Sequence, residues 1–322
     1  MAGRVLLTGA TGFVGSHIAK AFVEAGYDVR CGVRSTSNTR VLDGLAVEFV
    51  PLDLGRGGEI EAKVVADAEI VVHAAGITRA RRENEYHTVN AEATRRLAAA
   101  AAAAGVRRFV LISSLAARGP DAVSRDGLDR PVSAYGRSKL AAEMRLREYS
   151  NQLETVALRP AAVYGPRDTD FLPLIKVASA GWLVIPNDAL RLQPVYAEDV
   201  ASAALAAARS PAGFGPFPVA EPGRYTWREV ADGLGQALGR PVRTVRLPAS
   251  VVVSAGRLAG LASRLPGVEP VLDGRRAEDL AVNAWTCDVS ETEPALGWRA
   301  EIPLFVGLGR TVRWYRSAGW LV

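Results

Sequence analysis

The stretch Val5-Leu6-Leu7-Thr8-Gly9-Ala10-Thr11-Gly12-Phe13-Val14-Gly15 constrains this chain more than any other. An apolar, β-rich run breaks into three glycines spaced three apart, and a helical pattern follows over 14 to 25. Strand, glycine turn and helix in that order form a cradle for a pyrophosphate. Gly9 permits the tight turn, Gly12 lets backbone approach the phosphates, and Gly15 lets helix pack closely on strand. The helix N-terminus, formed with Thr8, Thr11, Phe13 and Val14, contributes unpaired N–H groups and a partial positive charge. A nicotinamide dinucleotide held over this turn is the expectation.

Short apolar runs continue to alternate with helical stretches: Val29 to Val33, Val47 to Pro51, Ile70 to Val72 before 87 to 104, and Phe109 to Ile112. Further on, a helix is expected from about Ser133 to Tyr149, a strand over Thr155 to Val163 and a short helix over 198 to 209. Such alternation calls for an α/β fold with a doubly wound parallel sheet, whose strands read as unbroken apolar runs because helices cover both faces. The alanine-rich stretch 97 to 104 closes at Gly105 as a packed crossover helix. After 165 the pattern turns irregular, with Pro166, Pro173, Pro186 and Pro194. The expected division is a dinucleotide-binding Rossmann domain over 1–165, to which 196–220 returns, and a smaller substrate lobe from 166–195 and 221–322. With 322 residues, two linked lobes are a reasonable size.

The apolar and charged fractions, 49% and 23%, belong to a folded globular chain. No apolar run approaches the ~18 residues of a membrane span, and the N-terminus enters its first strand directly, so a cytoplasmic protein is expected. Cys31 and Cys287 lack metal-ligand spacing, and no metal site is expected. The net charge of +5 comes from scattered arginines. Their densest cluster, Arg79, Arg81 and Arg82, has no interleaved aromatics and is followed by Glu83 and Glu85, which reads as a solvated surface rather than a nucleic-acid site. An anionic cofactor or substrate accounts for the basicity.

The second strand ends Cys31-Gly32-Val33-Arg34-Ser35, without the carboxylate that would bind the ribose hydroxyls of NAD, and Arg34 suits the 2′-phosphate of NADP. NADP is therefore expected over NAD. Tyr135 and Lys139 lie four apart in a helical segment and so share a face. With 8 tyrosines among 322 residues and few lysines, chance gives that spacing only about 0.1 times. An ammonium beside a phenol lowers its pKa, as proton transfer to or from a carbonyl oxygen requires. A hydroxyl at a parallel strand's C-terminal end can orient that oxygen, and Ser113 and Ser114 both end such a strand.

Together these residues resemble the extended short-chain dehydrogenase/reductase superfamily, which includes nucleotide-sugar epimerases, dihydroflavonol-type reductases and 3β-hydroxysteroid dehydrogenases. The resemblance covers nearly the whole chain. It rests on the glycine turn, Leu52-Asp53-Leu54, His73-Ala74-Ala75-Gly76, Val89-Asn90, Ser113-Ser114, Tyr135-Gly136-Arg137-Ser138-Lys139, Arg159-Pro160 with Tyr164-Gly165-Pro166, and Leu296-Gly297-Trp298 before Gly307-Leu308. It implies Tyr135 as acid/base, Lys139 as holder of the nicotinamide ribose, and Ser114 rather than Ser113 as the group orienting substrate. It further implies cofactor contacts from Asp53, Leu54, Ala74, Ala75, Gly76, Ser113, Pro160 and Val163, with Asn90 supporting the central helix. A homodimer is common in the superfamily.

Two departures bear on the substrate. Nucleotide-sugar members usually carry an asparagine shortly after the Arg-Pro strand, whereas this chain reads Ala161-Ala162-Val163-Tyr164. The segment 247–266 is apolar and resembles the lid of the reductase and steroid branches, although a packing helix reads equally well. The expectation is an NADP-dependent oxidoreductase interconverting a ketone or aldehyde and an alcohol on a small or medium organic substrate. A nucleotide-sugar epimerase or dehydratase and a non-catalytic dinucleotide sensor are the alternatives.

Overall fold

The computed structural model describes residues 3–80, 82–120, 127–185, 191–247, 251, 254 and 285–321. The first half runs β1 (Arg4–Thr8), α1 (Phe13–Glu24), β2 (Asp28–Val33), β3 (Val47–Pro51), α2 (Ala62–Val65), β4 (Ile70–His73), α3 (Glu83–Tyr86), α4 (Ala93–Ala103), β5 (Arg108–Ile112), α5 (Ala134–Arg147) and β6 (Glu154–Pro160). It continues through β7 (Ala162–Tyr164), α6 (Leu172–Ser179), β8 (Trp182–Ile185), β9 (Arg191–Leu192), β10 (Pro194–Tyr196), α7 (Ala197–Arg209) and β11 (Phe217–Val219). The remainder holds β12 (Tyr225–Thr226), α8 (Trp227–Leu238), β13 (Arg243–Arg246), α9 (Thr292–Leu296) and α10 (Leu304–Ser317).

Seven parallel strands form one sheet in the order β11-β6-β5-β4-β1-β2-β3. Successive strand residues serve opposite cores. Val5, Leu7, Val72 and Val110 pack toward α1 and α7, while Leu6, Val71, Phe109 and Leu111 pack toward α4 and α5. This is why the strands read as unbroken apolar runs. Cys31 sits within the first of these cores, where burial pushes its thiol up to about 12, the behaviour of a packing residue. A further core joins α6, α8 and α10, including Ile175, Leu234, Val312 and Tyr315.

Two expected elements differ in detail. The strand expected over Thr155 to Val163 is broken at Ala161: β6 stays in the large sheet, while β7 leaves it to pair with β10. Pro160, which has no N–H to donate, stands at the break, and Ala161 N–H donates to Val219 O instead. The helix expected over 87 to 104 begins earlier, at α3, and reaches α4 through a π-helical stretch, His87–Glu92. Of the apolar segment 247–266, only Leu247, Val251 and Ser254 are among the described residues, so its lid reading lies outside them.

Candidate active site

The strand order reverses around β1 and β4, and the crevice beyond their carboxyl ends is where open α/β sheets bind ligands. The glycine turn lies there. Gly9 has φ +76°, and a Cβ on it would stand 2.5 Å from Ala75 N, so turn and β4 end are in close contact. A Cβ on Gly15 would stand 2.0 Å from Gly9 O, which makes glycine a packing requirement. Gly12 differs: a Cβ there would meet only Gly9 O, at 3.2 Å. It caps α1 without a side-chain hydrogen bond, and the first turn carries no acidic residue. The α1 N–H groups are thus left for an anion, and the residues present fit a dinucleotide pyrophosphate.

Behind this wall runs a buried chain of hydrogen bonds. Thr8 Oγ1 lies 2.6 Å from His73 Nδ1, and His73 Nε2 lies 3.1 Å from Thr94 Oγ1. Thr94 in turn donates to Asn90 O at 2.6 Å. Since Thr94 uses its proton on that carbonyl, it accepts from His73 Nε2–H, and Thr8 donates to Nδ1. His73 is therefore neutral. Burial, reinforced by the Lys139 charge, lowers its pKa to about 3. The π-helical stretch turns Asn90 inward, where Nδ2 donates to Ile77 O and Ser138 Oγ while Oδ1 accepts from Ile77 N. Ser138 Oγ donates to Tyr135 O, which ends the chain at the helix carrying the tyrosine.

Helix α5 starts at Ser133, whose Oγ accepts the Gly136 N–H, and its first turns present Tyr135 and Lys139. Lys139 is 4% exposed and donates through Nζ to Ile112 O at 2.7 Å. Burial lowers its pKa to about 8, opposed by the charge of Glu143. Ser114 accepts the Ala116 N–H on Oγ and hydrogen-bonds Tyr135. The phenol does not follow the expectation of a lowered pKa. Burial raises it, only the Ser114 bond opposes this, and Tyr86 and Asp170 push it further up. Burial is the largest cause, and the Lys139 ammonium points one of its donors at the Ile112 carbonyl.

A buried charge network backs this wall. Ser113 Oγ donates to Glu143 Oε1, and Arg159 donates to both Glu143 oxygens, Nε at 2.9 Å and Nη2 at 2.6 Å. Arg159 also reaches both oxygens of Asp129 at 2.7 Å. Burial alone would lower the arginine's pKa, yet the two carboxylates raise it overall.

One pocket gathers ten of the expected site residues: Phe13, Val14, Ala74, Gly76, Ser113, Ser114, Tyr135, Lys139, Pro160 and Val163. Arg34, Asp53 and Leu54 stand apart from it, just beyond the adjacent ends of β2 and β3. The Arg34 guanidinium is exposed and has no hydrogen bond or ion pair among the described residues, whereas Asp53 pairs with Arg56 at 3.3 Å. Asp168 and Asp170 also line the pocket and were not singled out by any motif. Asp168 accepts the Asp170 and Phe171 N–H groups at the start of α6, and Asp170 pairs with Arg79 at 2.8 Å. Only their place in the irregular 166–195 stretch hinted at substrate contact.

The chain matches the model of the NAD dependent epimerase/dehydratase family over residues 5–218. It is 34% identical to ceramide reductase of Caulobacter vibrioides (strain NA1000 / CB15N), over 99% of this chain and 96% of that enzyme. It is 27% identical to UDP-glucose 4-epimerase of Vibrio cholerae, over 98% of this chain and 96% of that one. Among solved structures, MoeE5 in complex with UDP-glucuronic acid and NAD superposes with a TM-score of 0.77 at 25% identity, covering 98% of this chain and 100% of the other. Parallel sheet, glycine turn and tyrosine–lysine helix therefore stand within a shown kinship: this chain is an NAD(P)-dependent enzyme that belongs to the NAD dependent epimerase/dehydratase family.

Proposed function

We propose that this enzyme reduces a ketone or aldehyde to an alcohol with NADPH, on an apolar substrate of the ceramide type. The observation that carries this reading is that Ser114, Tyr135 and Lys139 line one pocket together. When bound, the dinucleotide supplies hydride from C4 of its nicotinamide. Ser114 donates a hydrogen bond to the substrate oxygen and fixes the carbonyl beside Tyr135. Tyr135 gives its phenolic proton to that oxygen as negative charge develops there. A raised phenol pKa keeps this proton in place until the oxygen demands it. Lys139 holds the nicotinamide ribose and restores charge balance near the phenolate.

The stretch Ala161-Ala162-Val163 lacks the asparagine that nucleotide-sugar members carry after the Arg-Pro strand, and Asp168 and Asp170 in the wall disfavour a diphosphate. The end-to-end likeness to ceramide reductase points the same way. Arg34, with its free guanidinium, supports NADPH.

Stoichiometric NADPH oxidation with a keto analogue of ceramide is the expected result, and cofactor-neutral conversion of UDP-glucose would replace this reading with the epimerase one. Tight NADPH binding without turnover on a broad carbonyl panel would favour a sensor. Tyr135→Phe is expected to lower kcat by about 10²- to 10⁴-fold while NADPH affinity stays within a few-fold. Undiminished turnover would sink the role of Tyr135.

A further inference from the structure

β8 and β13 form a two-stranded parallel ribbon apart from the main sheet, with Trp182 opposite Arg243 and Val184 opposite Val245. Alternation sorts its side chains. Leu183 and Ile185 enter the core of α6, α8 and α10, while Trp182, Val184 and Val245 face outward at 47%, 42% and 36% exposure. The Arg243 guanidinium lies over the Trp182 ring, 5.7 Å from its centroid, and keeps its charge at the same face. Arg240 lies at the ribbon's edge beside Gly181, donating to Ser179 O at the end of α6. The charged residues of 172–185 and 240–247 are Lys176, Arg240, Arg243 and Arg246, of which Arg243, opposite Trp182, shares the outward face.

We infer that this ribbon face docks on an anionic lipid bilayer. An exposed indole beside aliphatic side chains suits the headgroup boundary, where its apolar body enters the acyl edge and its N–H stays among polar groups. Arginines at the rim meet lipid phosphates, each near the surface contributing enough to change affinity about five-fold. A protein partner would account for the apolar residues, but Arg243 on the same face, with Arg240 at its edge beside Gly181, complements a phosphate plane. The geometry also places the face usefully. Asp168, in the pocket wall, accepts the Phe171 N–H just before α6, and the ribbon follows the end of that eight-residue helix, about 12 Å farther on. The inference stands on the ribbon and holds whatever the pocket reduces.

The test is flotation of the full chain with vesicles of phosphatidylglycerol and phosphatidylcholine, and with vesicles of phosphatidylcholine alone. Binding to the anionic vesicles, weakened by salt, is expected. Arg243→Ala should weaken it about five-fold and Trp182→Ala several-fold, with NADPH affinity unchanged in both because neither residue lies in the pocket. Absence of flotation, equal binding to both vesicle types, or binding indifferent to both substitutions would overturn the inference. So would a self-association or protein complex that Trp182→Ala dissolves. Protection of Trp182 from an aqueous quencher without vesicles would do the same, since the face would then be covered already.

Discussion

The two walls of the pocket are built by opposite means. On the cofactor side, space is made by omission: Gly9 and Gly15 stand where any Cβ would strike backbone, and Gly12 leaves the α1 amides uncovered. On the catalytic side, position is fixed by charge, through Ser113, Glu143, Arg159 and Asp129 behind the end of β5, which Ser114 follows. A wall made of absent atoms tolerates loss of a polar partner. A wall made of buried ions does not.

The largest effect should therefore come from the catalytic wall. Arg159→Met leaves Glu143 ionised in the core and is expected to cost about 3–5 kcal/mol in urea unfolding. Combining it with Glu143→Met should restore part of that stability, because the carboxylate then left without Arg159 is Asp129, which is 30% exposed. A single-substitution cost under about 1 kcal/mol would show the network to be inessential.

Acid tests the cofactor side next. His73 is held neutral between Thr8 and Thr94 with its pKa near 3, and His17, lowered by burial and the Arg167 charge, sits near 4. His17 also meets Pro166 O at 3.0 Å, joining α1 to the turn after β7. Both values lie below the ordinary 6.5 of the unfolded chain, so their contribution to stability is complete above about pH 6.5 and is lost as pH falls. Between pH 6 and 5 each loses about 1.2 kcal/mol, about 2.4 kcal/mol together. Melting temperature should fall across this window, and His17→Asn should remove about half of the slope. A flat profile would contradict the neutral, buried state of both rings.

Glycine substitutions sharpen the contrast within the cofactor wall itself. Gly15→Ala drives a methyl to 2.0 Å from Gly9 O and should destabilise by about 1–3 kcal/mol. Gly12→Ala meets only one atom, at 3.2 Å, and should leave stability almost unchanged while weakening NADPH binding. Equal loss of stability at both positions would mean that the turn is merely tight, with no surface reserved for phosphate.

The same contrast explains what could be read in advance. Glycines at fixed spacing after an apolar run declare a local, steric requirement, and Tyr135 and Lys139 share a helical face four residues apart, so both were legible along the chain. The Arg159 pairings with Glu143 and Asp129 span 16 and 30 residues, and no local pattern marks them. Asp168 and Asp170 enter the pocket through the left-handed backbone of Arg167, φ +73°, in a stretch without periodicity. The phenol's raised pKa was equally hidden. Spacing placed Lys139 beside Tyr135, but only the fold shows the ammonium turned to the Ile112 carbonyl.

The smallest expected effect lies outside both walls, where Arg34 follows the end of β2. Its backbone is pinned, with N–H donating to Ser37 Oγ and the carbonyl accepting from Ser37 N, while its guanidinium reaches solvent. A phosphate there would gain a charge-assisted but solvent-screened pair, so Arg34→Ala should weaken NADPH about tenfold, or roughly 1.4 kcal/mol. NADH, lacking the 2′-phosphate, should bind with unchanged affinity. The ratio of the two, measured by fluorescence titration, isolates this residue from the pyrophosphate cradle that both dinucleotides share. Tighter binding of NADH than NADPH by the unaltered protein would remove the argument for Arg34, leaving the glycine turn and the tyrosine helix untouched.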